Sequence, residues 1–170
     1  MSPPTGFIVN VHRIDPYKNF KFRILMDNKP VLGVSKVSAL KRTTEVIKHR
    51  SGAENSLEHK TPGRTTYEPI TLERGITHNT EFEKWANQVH SYESDSMMDL
   101  VNFKKDLILE IMNEKGQIAL RYILHRCWVS EFTAISDLDA DENAIAIESI
   151  KIEIEGWTRD TDTKEPDEKG

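Results

Sequence analysis

Apolar and polar residues alternate with a period of two along much of this chain. Between Phe20 and Asp27 every even position is apolar, and most odd positions carry a charged side chain. Because successive side chains of a β-strand point to opposite faces, this pattern predicts a strand with one buried face. Residues 27–30, Asp-Asn-Lys-Pro, offer turn chemistry, and Val31 and Leu32 resume the apolar run. We therefore expect a β-hairpin here.

Five further segments have the composition or the alternation of strands. They comprise residues 34–47, 67–74, 106–112, 118–132 and 144–155. Gly116 suits the positive φ of a turn between the third and the fourth of these segments. In the fourth segment the alternation is expected to continue through Trp128 and Phe132. The chain is therefore predicted to be mainly β.

The isoleucines of the last segment change parity along its length: Ile145 and Ile147 precede Ile150, Ile152 and Ile154. A regular strand cannot place both groups on one face. We therefore expect either a bulge near Glu148 and Ser149 or a change of cover there, meaning that a different face of the strand becomes buried.

One helix is predicted at about 79–92. Thr80 followed by Glu83 resembles a capping box, in which each side chain satisfies a backbone amide near the helix start. Apolar residues then recur with the spacing i, i+3, i+4, i+7, namely Phe82, Trp85, Ala86 and Val89. This narrow stripe indicates an amphipathic helix that packs on the core.

Two segments lack the large apolar residues that a core needs. In residues 49–66, Leu57 is the one large apolar residue. We expect this segment to form a loop that is longer than the loops of most compact domains. Residues 158–170 contain no aliphatic or aromatic side chain, and acids outnumber bases there. We expect a single domain over 1–157 and an acidic, flexible C-terminal tail over 158–170.

Composition narrows the functional classes. The 170 residues are 30% charged, and the apolar runs fall short of the roughly 20 residues that span a bilayer. The first residues do not resemble a secretory signal peptide, so cytoplasmic synthesis is expected. The net charge of −5 argues against a dedicated nucleic-acid binder. One cysteine excludes an internal disulfide and a multi-thiolate metal site within this chain.

The motifs of common enzyme sites are missing. The sequence has no phosphate-binding Gly-x-x-x-x-Gly-Lys loop, no Gly-x-Ser-x-Gly elbow and no His-Glu-x-x-His pair. Cys127 and His125 lie two residues apart in a predicted strand, on one face, and could form a thiolate–imidazole pair. The alternative is a buried small residue beside a surface histidine, and this interpretation is favoured because no orienting carboxylate is evident.

The acidic segment 137–142 has carboxylates at alternate positions, which can wrap calcium. It lacks the central glycine and the distant glutamate of an EF-hand loop, so a polar connector is the favoured interpretation. We accordingly expect no catalytic residue, no cofactor and no metal site. A small β-barrel enzyme or ligand-binding module that uses Cys127 and His125 remains the alternative from another class.

Several motifs follow one another in a recognisable order. They are Thr61-Pro62-Gly63-Arg64, the segment 67–75, Phe82-x-x-Trp85, the segment 137–150 and Glu155-Gly156-Trp157. Over residues 16–157 this order resembles the tail tube proteins of contractile-tailed phages and of phage-tail-like contractile injection systems. The inner tube protein of type VI secretion is a more distant relative in fold.

The resemblance implies a β-barrel or split β-sandwich flanked by one amphipathic helix. It further implies a structural subunit, not an enzyme, that forms homohexameric rings stacked into a tube within a contractile sheath. The implied partners are copies of the chain, the sheath protein, baseplate or hub proteins, tube-terminating proteins, and a cargo effector or DNA in the lumen. The particle is a phage tail or an injection system, which could be released from the cell. A tube-initiating, baseplate-adjacent ring protein is the alternative within the same machine.

The resemblance also assigns a role to the segment 49–66, which would reach neighbouring subunits. The candidate residues for contacts between subunits are Arg50, Leu57, Pro62, Gly63 and Arg64. The sequence supports assembly independently, because the predicted strands 106–112 and 144–155 leave long, regular edges. Ring closure would satisfy such edges in a controlled way.

Overall fold

The computed structural model describes residues 21–53, 56–141, 143, 145–164 and 166. Its strands are β1 (Lys21–Met26), β2 (Lys29–Val31), β3 (Val34–Val37), β4 (Arg42–His49), β5 (His59–Tyr67), β6 (Ile70–Gly75), β7 (Lys105–Met112), β8 (Ile118–Thr133), β9 (Ile147–Glu153) and β10 (Gly156–Arg159). Helix α1 (Glu81–Asn87) and a 3₁₀ turn (Asp95–Met97) lie between β6 and β7. Phe20 and Ala144, where two predicted strands begin, lie outside the described residues, as does most of 165–170.

Two tight hairpins form where the sequence predicts them. Asp27 and Asn28 connect β1 to β2 with φ values of 52° and 61°, the left-handed pair that matches the twist of flanking strands. Gly116 has φ of 80° in the turn between β7 and β8, where a residue with a Cβ would be strained. Both predicted hairpins are therefore confirmed.

Eight strands form one antiparallel sheet, which folds over on itself into a sandwich. The order is β2-β1-β7-β8-β9-β6-β3, with β10 pairing with β8 beside this path and every pairing antiparallel. The path ends at β2 and β3, so the sheet is not a closed barrel. Of the two architectures expected from the resemblance, the split sandwich is the one observed.

Strand β8 belongs to both halves of the sandwich. Its first part pairs with β7 and β10, and its last part, from Trp128 to Thr133, pairs with β9. The register shifts near Arg126, whose φ is 50°, and again between Val129 and Glu131. Bulges of this kind bend a strand and let it pass from one sheet to another.

The bulges of β8 also reset its alternation. Leu124, Cys127 and Val129 are buried, and Phe132 packs against the same core. The prediction that one face continues through both Trp128 and Phe132 is therefore wrong for Trp128. Its ring instead meets Phe103 edge-on, at 6.1 Å between centroids. Each of the two bulges in β8 adds one residue, so after the second bulge the even-numbered residue Phe132 again faces the core, as Leu124 does before the first.

Helix α1 is shorter than the predicted 79–92, and its cap is a different residue. The backbone N–H of Glu81 donates to Asn79 Oδ1 at 2.8 Å, whereas the side chain of Thr80 makes no capping hydrogen bond. Thr80 has φ −100° and ψ 15°, not the extended conformation that a capping box requires. The predicted stripe is confirmed at Phe82 and Trp85, which are buried.

The segment 49–66 is not a loop throughout, as the sequence suggested. Strand β4 reaches His49, and β5 begins at His59 and pairs with it. The segment lacks large apolar residues because both faces of this strand pair are exposed, not because its backbone is irregular. At the other end of the chain, Thr158 and Arg159, counted as tail, belong to β10.

Of the two possibilities expected near Glu148 and Ser149, a bulge or a change of cover, the bulge is absent, because the register between β6 and β9 is regular there. Glu148 continues the buried face of Ile150 and Ile152, and it lies directly opposite Arg74 of β6. Arg74 Nε donates to Glu148 Oε2 at 2.8 Å. Its Nη2 donates to the Asn79 carbonyl at 2.9 Å, and the guanidinium lies 3.9 Å from the centroid of the Phe82 ring. Arg74 thus ties β9 and β6 to the start of α1.

A second ion network crosses three strands of the other half. Glu110 of β7 is flanked by Arg23 of β1 and Arg121 of β8, and both guanidinium groups donate to its carboxylate. Arg121 also lies 3.8 Å from Asp160. Burial raises the pKa of Glu110, but the hydrogen bonds from Arg23 and Arg121 outweigh it, so the pKa is below the ordinary glutamate value. The carboxylate is therefore ionised at neutral pH.

We expect Glu148→Ala to lower the free energy of unfolding by about 3–5 kcal/mol, because it leaves the Arg74 charge buried without its partner. Urea denaturation at neutral pH measures this loss. The matched control is the double variant Arg74→Met with Glu148→Leu, which removes both charges and should recover most of the stability. A single variant as stable as the parent would contradict the assigned ion pair.

Acid should weaken the fold partly through Glu110. Because the folded pKa lies below the unfolded value of about 4.3, the stabilisation is complete above that value and is lost as pH falls through the folded pKa. Free energies of unfolding measured between about pH 6 and pH 2 should therefore fall less steeply in Glu110→Gln than in the parent protein. Parallel curves for the two proteins would contradict the assigned network.

Candidate assembly surface

The β4–β5 ribbon (residues 42–67) stands apart from the sandwich. The two strands pair only with each other, and every residue of β4 is exposed. In β5 only Gly63 and Tyr67 are partly covered. A lone two-stranded ribbon is marginally stable in water, because neither of its faces is buried against a third element. A partner surface that covered one face of the ribbon would therefore stabilise it.

All five predicted contact residues lie on this ribbon or on its tip. Pro62, Gly63 and Arg64 belong to β5, while Arg50 directly follows β4 and Leu57 lies two residues before β5. The structure thus brings them onto one projecting element. Whether they contact another subunit stays a prediction.

The close packing within the ribbon explains Gly63. The register between the strands shifts opposite Glu45, which leaves one extra residue in β5. A Cβ on Gly63 would lie 3.0 Å from the side chain of Ile47 and 3.3 Å from Glu45 Cβ. The absence of a side chain lets Ile47 lie across the backbone at this bulge.

An aromatic cluster joins the ribbon to the sandwich. The Trp157 ring of β10 meets Tyr67 and Tyr122 edge-on, at centroid distances of 5.9 Å and 5.8 Å. The guanidinium of Arg42 lies 5.9 Å from the centroid of the same ring. Since Arg42 and Tyr67 are the two ends of the ribbon, Trp157 fixes both at its base. In the sequence, Gly156 and Trp157 form part of one of the motifs that carry the resemblance. The residues around them do not predict that Trp157 anchors the ribbon.

The ribbon exposes apolar side chains away from its base. Val46 and Leu57 are both 57% exposed, and Ile47 is exposed as well. Exposed apolar side chains that cluster on one element are typical of a surface that another chain covers.

The ribbon is basic although the protein is acidic. Residues 42–67 contain five Lys and Arg and three Glu, so their net charge is +2. Since the whole chain has a net charge of −5, the remaining residues carry −7. Lys48 pairs with Glu58 at 3.8 Å. Among the described residues, no ion pair involves Arg50, Lys60 or Arg64. The ribbon therefore presents uncompensated positive charge.

The proposed thiolate–imidazole pair does not form. Cys127 is fully buried in the core, and burial raises the pKa of its thiol to about 12. His125 Nε2 is instead 2.9 Å from Thr158 Oγ1. The bulge at Arg126 lies between the two residues, so they do not share a strand face as the sequence suggested. A thiol that stays protonated at neutral pH is a poor nucleophile.

The acidic segment 137–142 is a connector in the part of the chain that the structure describes. Asp139 Oδ1 accepts a hydrogen bond from the Asp141 amide at 2.9 Å, which is local turn geometry. Within the described ranges, no three His, Cys, Asp or Glu side chains are grouped so as to hold a metal ion. None of the helices described has the length and apolarity needed to cross a membrane.

The sequence does not predict the two buried ion networks of the sandwich. The buried Arg74 and Glu148 are 74 residues apart, so their pairing is a property of the fold. A partial signal was present, because Glu148 has the same parity as Ile150 and Ile152. Glu110 likewise interrupts an apolar strand, and only the register of β1, β7 and β8 reveals its partners.

Solved structures with similar folds come from contractile injection systems. One is a chain of the PVC sheath-tube complex of an extracellular contractile injection system in the extended state, 22% identical, with TM-score 0.69, 85% of this chain and 91% of that chain covered. A chain of the PVC sheath/tube terminator is 22% identical, with TM-score 0.71 and coverage of 86% and 97%. A chain of the anti-feeding prophage tube-terminating cap is 21% identical, with TM-score 0.70 and coverage of 91% and 99%.

Comparison with curated protein sequences gives no match. The family model of the T4-like virus tail tube protein gp19 matches residues 18–158, which include helix α1 and every described strand except the last residue of β10. The predicted resemblance is thus confirmed, and this chain belongs to the T4-like virus tail tube protein gp19 family.

Proposed function

We propose that this chain is a structural subunit of the inner tube of a phage tail or contractile injection system. In this proposal six copies close into a ring, and rings stack into a hollow tube whose lumen holds a cargo effector or DNA. The β4–β5 ribbon is the observation that carries the proposal. It is long and exposed on both faces, and in the part of the chain that the structure describes it joins the sandwich at its base, where Trp157 contacts Tyr67 and Arg42.

The energetic argument starts from the cost of ordering the ribbon. Fixing the backbone of each residue costs roughly 1–2 kcal/mol, and a ribbon without a covered face regains little of this by burial. Contacts with another copy would bury Val46, Ile47 and Leu57 and offset that cost. Identical copies usually associate with closed symmetry, and a ring is the closed form of a head-to-tail contact.

The proposed work is mechanical. Sheath contraction drives the tube through a target envelope, so the tube must resist bending and separation of its rings. Many strand and ribbon contacts act together, and none is released unless its neighbours are released as well. The partners in this proposal are the sheath protein, baseplate or hub proteins, and tube-terminating proteins. Structures with a similar fold come from a sheath-tube complex, a baseplate and a tube-terminating cap, which supports this set of partners.

A ring protein at one end of the tube is the second candidate. The fold matches chains of a sheath/tube terminator and of a tube-terminating cap about as well as a chain of a sheath-tube complex. The two candidates differ in self-assembly, because a main tube subunit stacks into long rods whereas an initiating or terminating ring stays single. The ribbon favours the tube subunit, because it supplies a projecting contact on every copy.

Replacing the exposed apolar side chains of the ribbon should block assembly without unfolding the protomer. We expect the purified protein to form rings and hollow rods in negative-stain micrographs at high concentration. The variant Val46→Lys with Leu57→Lys should stay small, because it puts charge where burial is needed. Its thermal unfolding should resemble that of the parent, since both positions are exposed in the protomer.

The matched control for this experiment is Leu57→Met, which keeps an apolar side chain of similar size and should assemble normally. A parent protein that remains a folded monomer at high concentration would contradict the proposed function. Normal rods from the double lysine variant would show that the ribbon does not carry the assembly.

Cys127 separates the structural proposal from the enzyme alternative. Because its thiol is buried with a raised pKa, we expect the folded protein to react with a charged disulfide reagent at about pH 8 at least 100-fold more slowly than the chain unfolded in guanidinium chloride. Absorbance of the released thiol measures both rates. Rapid labelling of the folded protein would revive the thiolate–imidazole interpretation.

A further inference from the structure

The chain between α1 and β7 carries a second exposed surface, here called the 92–101 patch. Tyr92 is 99% exposed and Val101 is 88% exposed, and Leu100 and Met97 are exposed beside them. Tyrosine is enriched in protein interfaces, since it offers a large apolar area with a polar end. The patch is therefore apolar enough to be a docking surface.

The patch is also acidic. Residues 92–101 contain Glu93, Asp95 and Asp99 and no Lys or Arg. Among the described residues, none of these three carboxylates takes part in an ion pair. A backbone hydrogen bond from Asn102 lowers the pKa of Asp99, which keeps that carboxylate charged. The patch thus combines exposed apolar side chains with negative charge, whereas the ribbon combines a few exposed apolar side chains with positive charge.

Local hydrogen bonds hold the patch in one conformation. Ser94 Oγ accepts from the Ser96 amide at 3.1 Å, and Asp99 Oδ1 accepts from the Asn102 amide at 2.9 Å. The Asp99 amide donates to the Gln88 carbonyl at 2.8 Å, which ties the segment to the end of α1. A surface ordered before binding loses less entropy when a partner docks.

The ribbon and the patch lie toward opposite ends of β7. Leu40, just before the ribbon, shares an apolar pocket with Leu109 and Ile111 near the end of that strand. Gln88 and Asn102, which flank the patch, share a groove with Lys105 at its start. The bases of the two surfaces are thus separated by roughly 15 Å along β7. The two surfaces therefore leave the sandwich at different positions, which favours a head-to-tail contact between copies.

We propose that the 92–101 patch of one copy is the docking site for the β4–β5 ribbon of a second copy. Val46 and Leu57 would meet the apolar side chains of the patch, and Arg50 and Lys60 would face Glu93 and Asp95. Complementary charges of this kind orient two surfaces and speed their encounter. The inference rests on the proposed function, because it names the surface that receives the ribbon.

The connector between β8 and β9 is the competing receptor, since it is acidic and exposes Ile135 and Leu138. The 92–101 patch is favoured because hydrogen bonds fix its backbone and tie it to the end of α1. The connector between β8 and β9 provides a matched control.

The test uses opposite charge reversals in the full chain. Arg50→Glu with Lys60→Glu makes the ribbon acidic, and Glu93→Lys with Asp95→Lys makes the patch basic. Each variant alone should need at least tenfold more protein than the parent to assemble, as measured by sedimentation. All four positions are on the surface, so thermal unfolding should change little. Asp99 is left in place, because it accepts backbone hydrogen bonds.

An equal mixture of the two variants should recover assembly. In an alternating array every acidic ribbon meets a basic patch, and every basic ribbon meets an acidic patch. The control variant Asp137→Lys with Asp141→Lys should assemble like the parent and should not rescue the ribbon variant. A mixture that fails to assemble, or rescue by the control variant, would overturn the proposed docking site.

The outcomes also separate this inference from the function on which it rests. A parent protein that never assembles overturns both. A parent that forms rods, together with patch variants that form rods at the same concentration, overturns only the docking site.

Discussion

Strand β8 is the element on which the rest of the sandwich depends. It pairs with β7 and β10 over its first part and with β9 over its last part, so a single strand joins the two halves. The bulge at Arg126 and the shift after Val129 let the strand bend while Leu124 and Cys127 stay buried. The same bulge separates Cys127 from His125. One backbone irregularity therefore both closes the core and removes the arrangement that nucleophilic chemistry would need.

Strand β10 pairs with β8 and connects the sandwich to the β4–β5 ribbon. Trp157 lies opposite Leu124 in the ladder, and its ring contacts both Tyr67 and Tyr122. The ribbon is thus fixed at its base by the sandwich and exposed over the rest of its length. The structure therefore combines an anchored base with an exposed body in the ribbon, and this combination is what the proposed contacts between copies would complete.

The sequence predicted the parts of the fold that depend on local chemistry. The turns at Asp27-Asn28 and Gly116 were correct, because positive φ favours those residue types. The composition of residues 49–66 predicts a loop because a strand with one buried face needs large apolar residues, whereas β5 and the end of β4 are exposed on both faces. The Arg74–Glu148 pair and the bulge at Arg126 depend on strand register, which is set by residues far apart in the chain. The five candidate contact residues all fall on the ribbon or its tip, and their contacts with other subunits stay a prediction.

The central claim is that the ribbon becomes ordered through contacts with other copies of the chain. Amide hydrogen exchange, compared between dilute protomers and the assembled material, measures this most directly. The account predicts that amides of β4 and β5 exchange rapidly in the protomer and become protected on assembly, while those of β7 and β8 are protected in both states. Equal protection of the ribbon in the two states would contradict it.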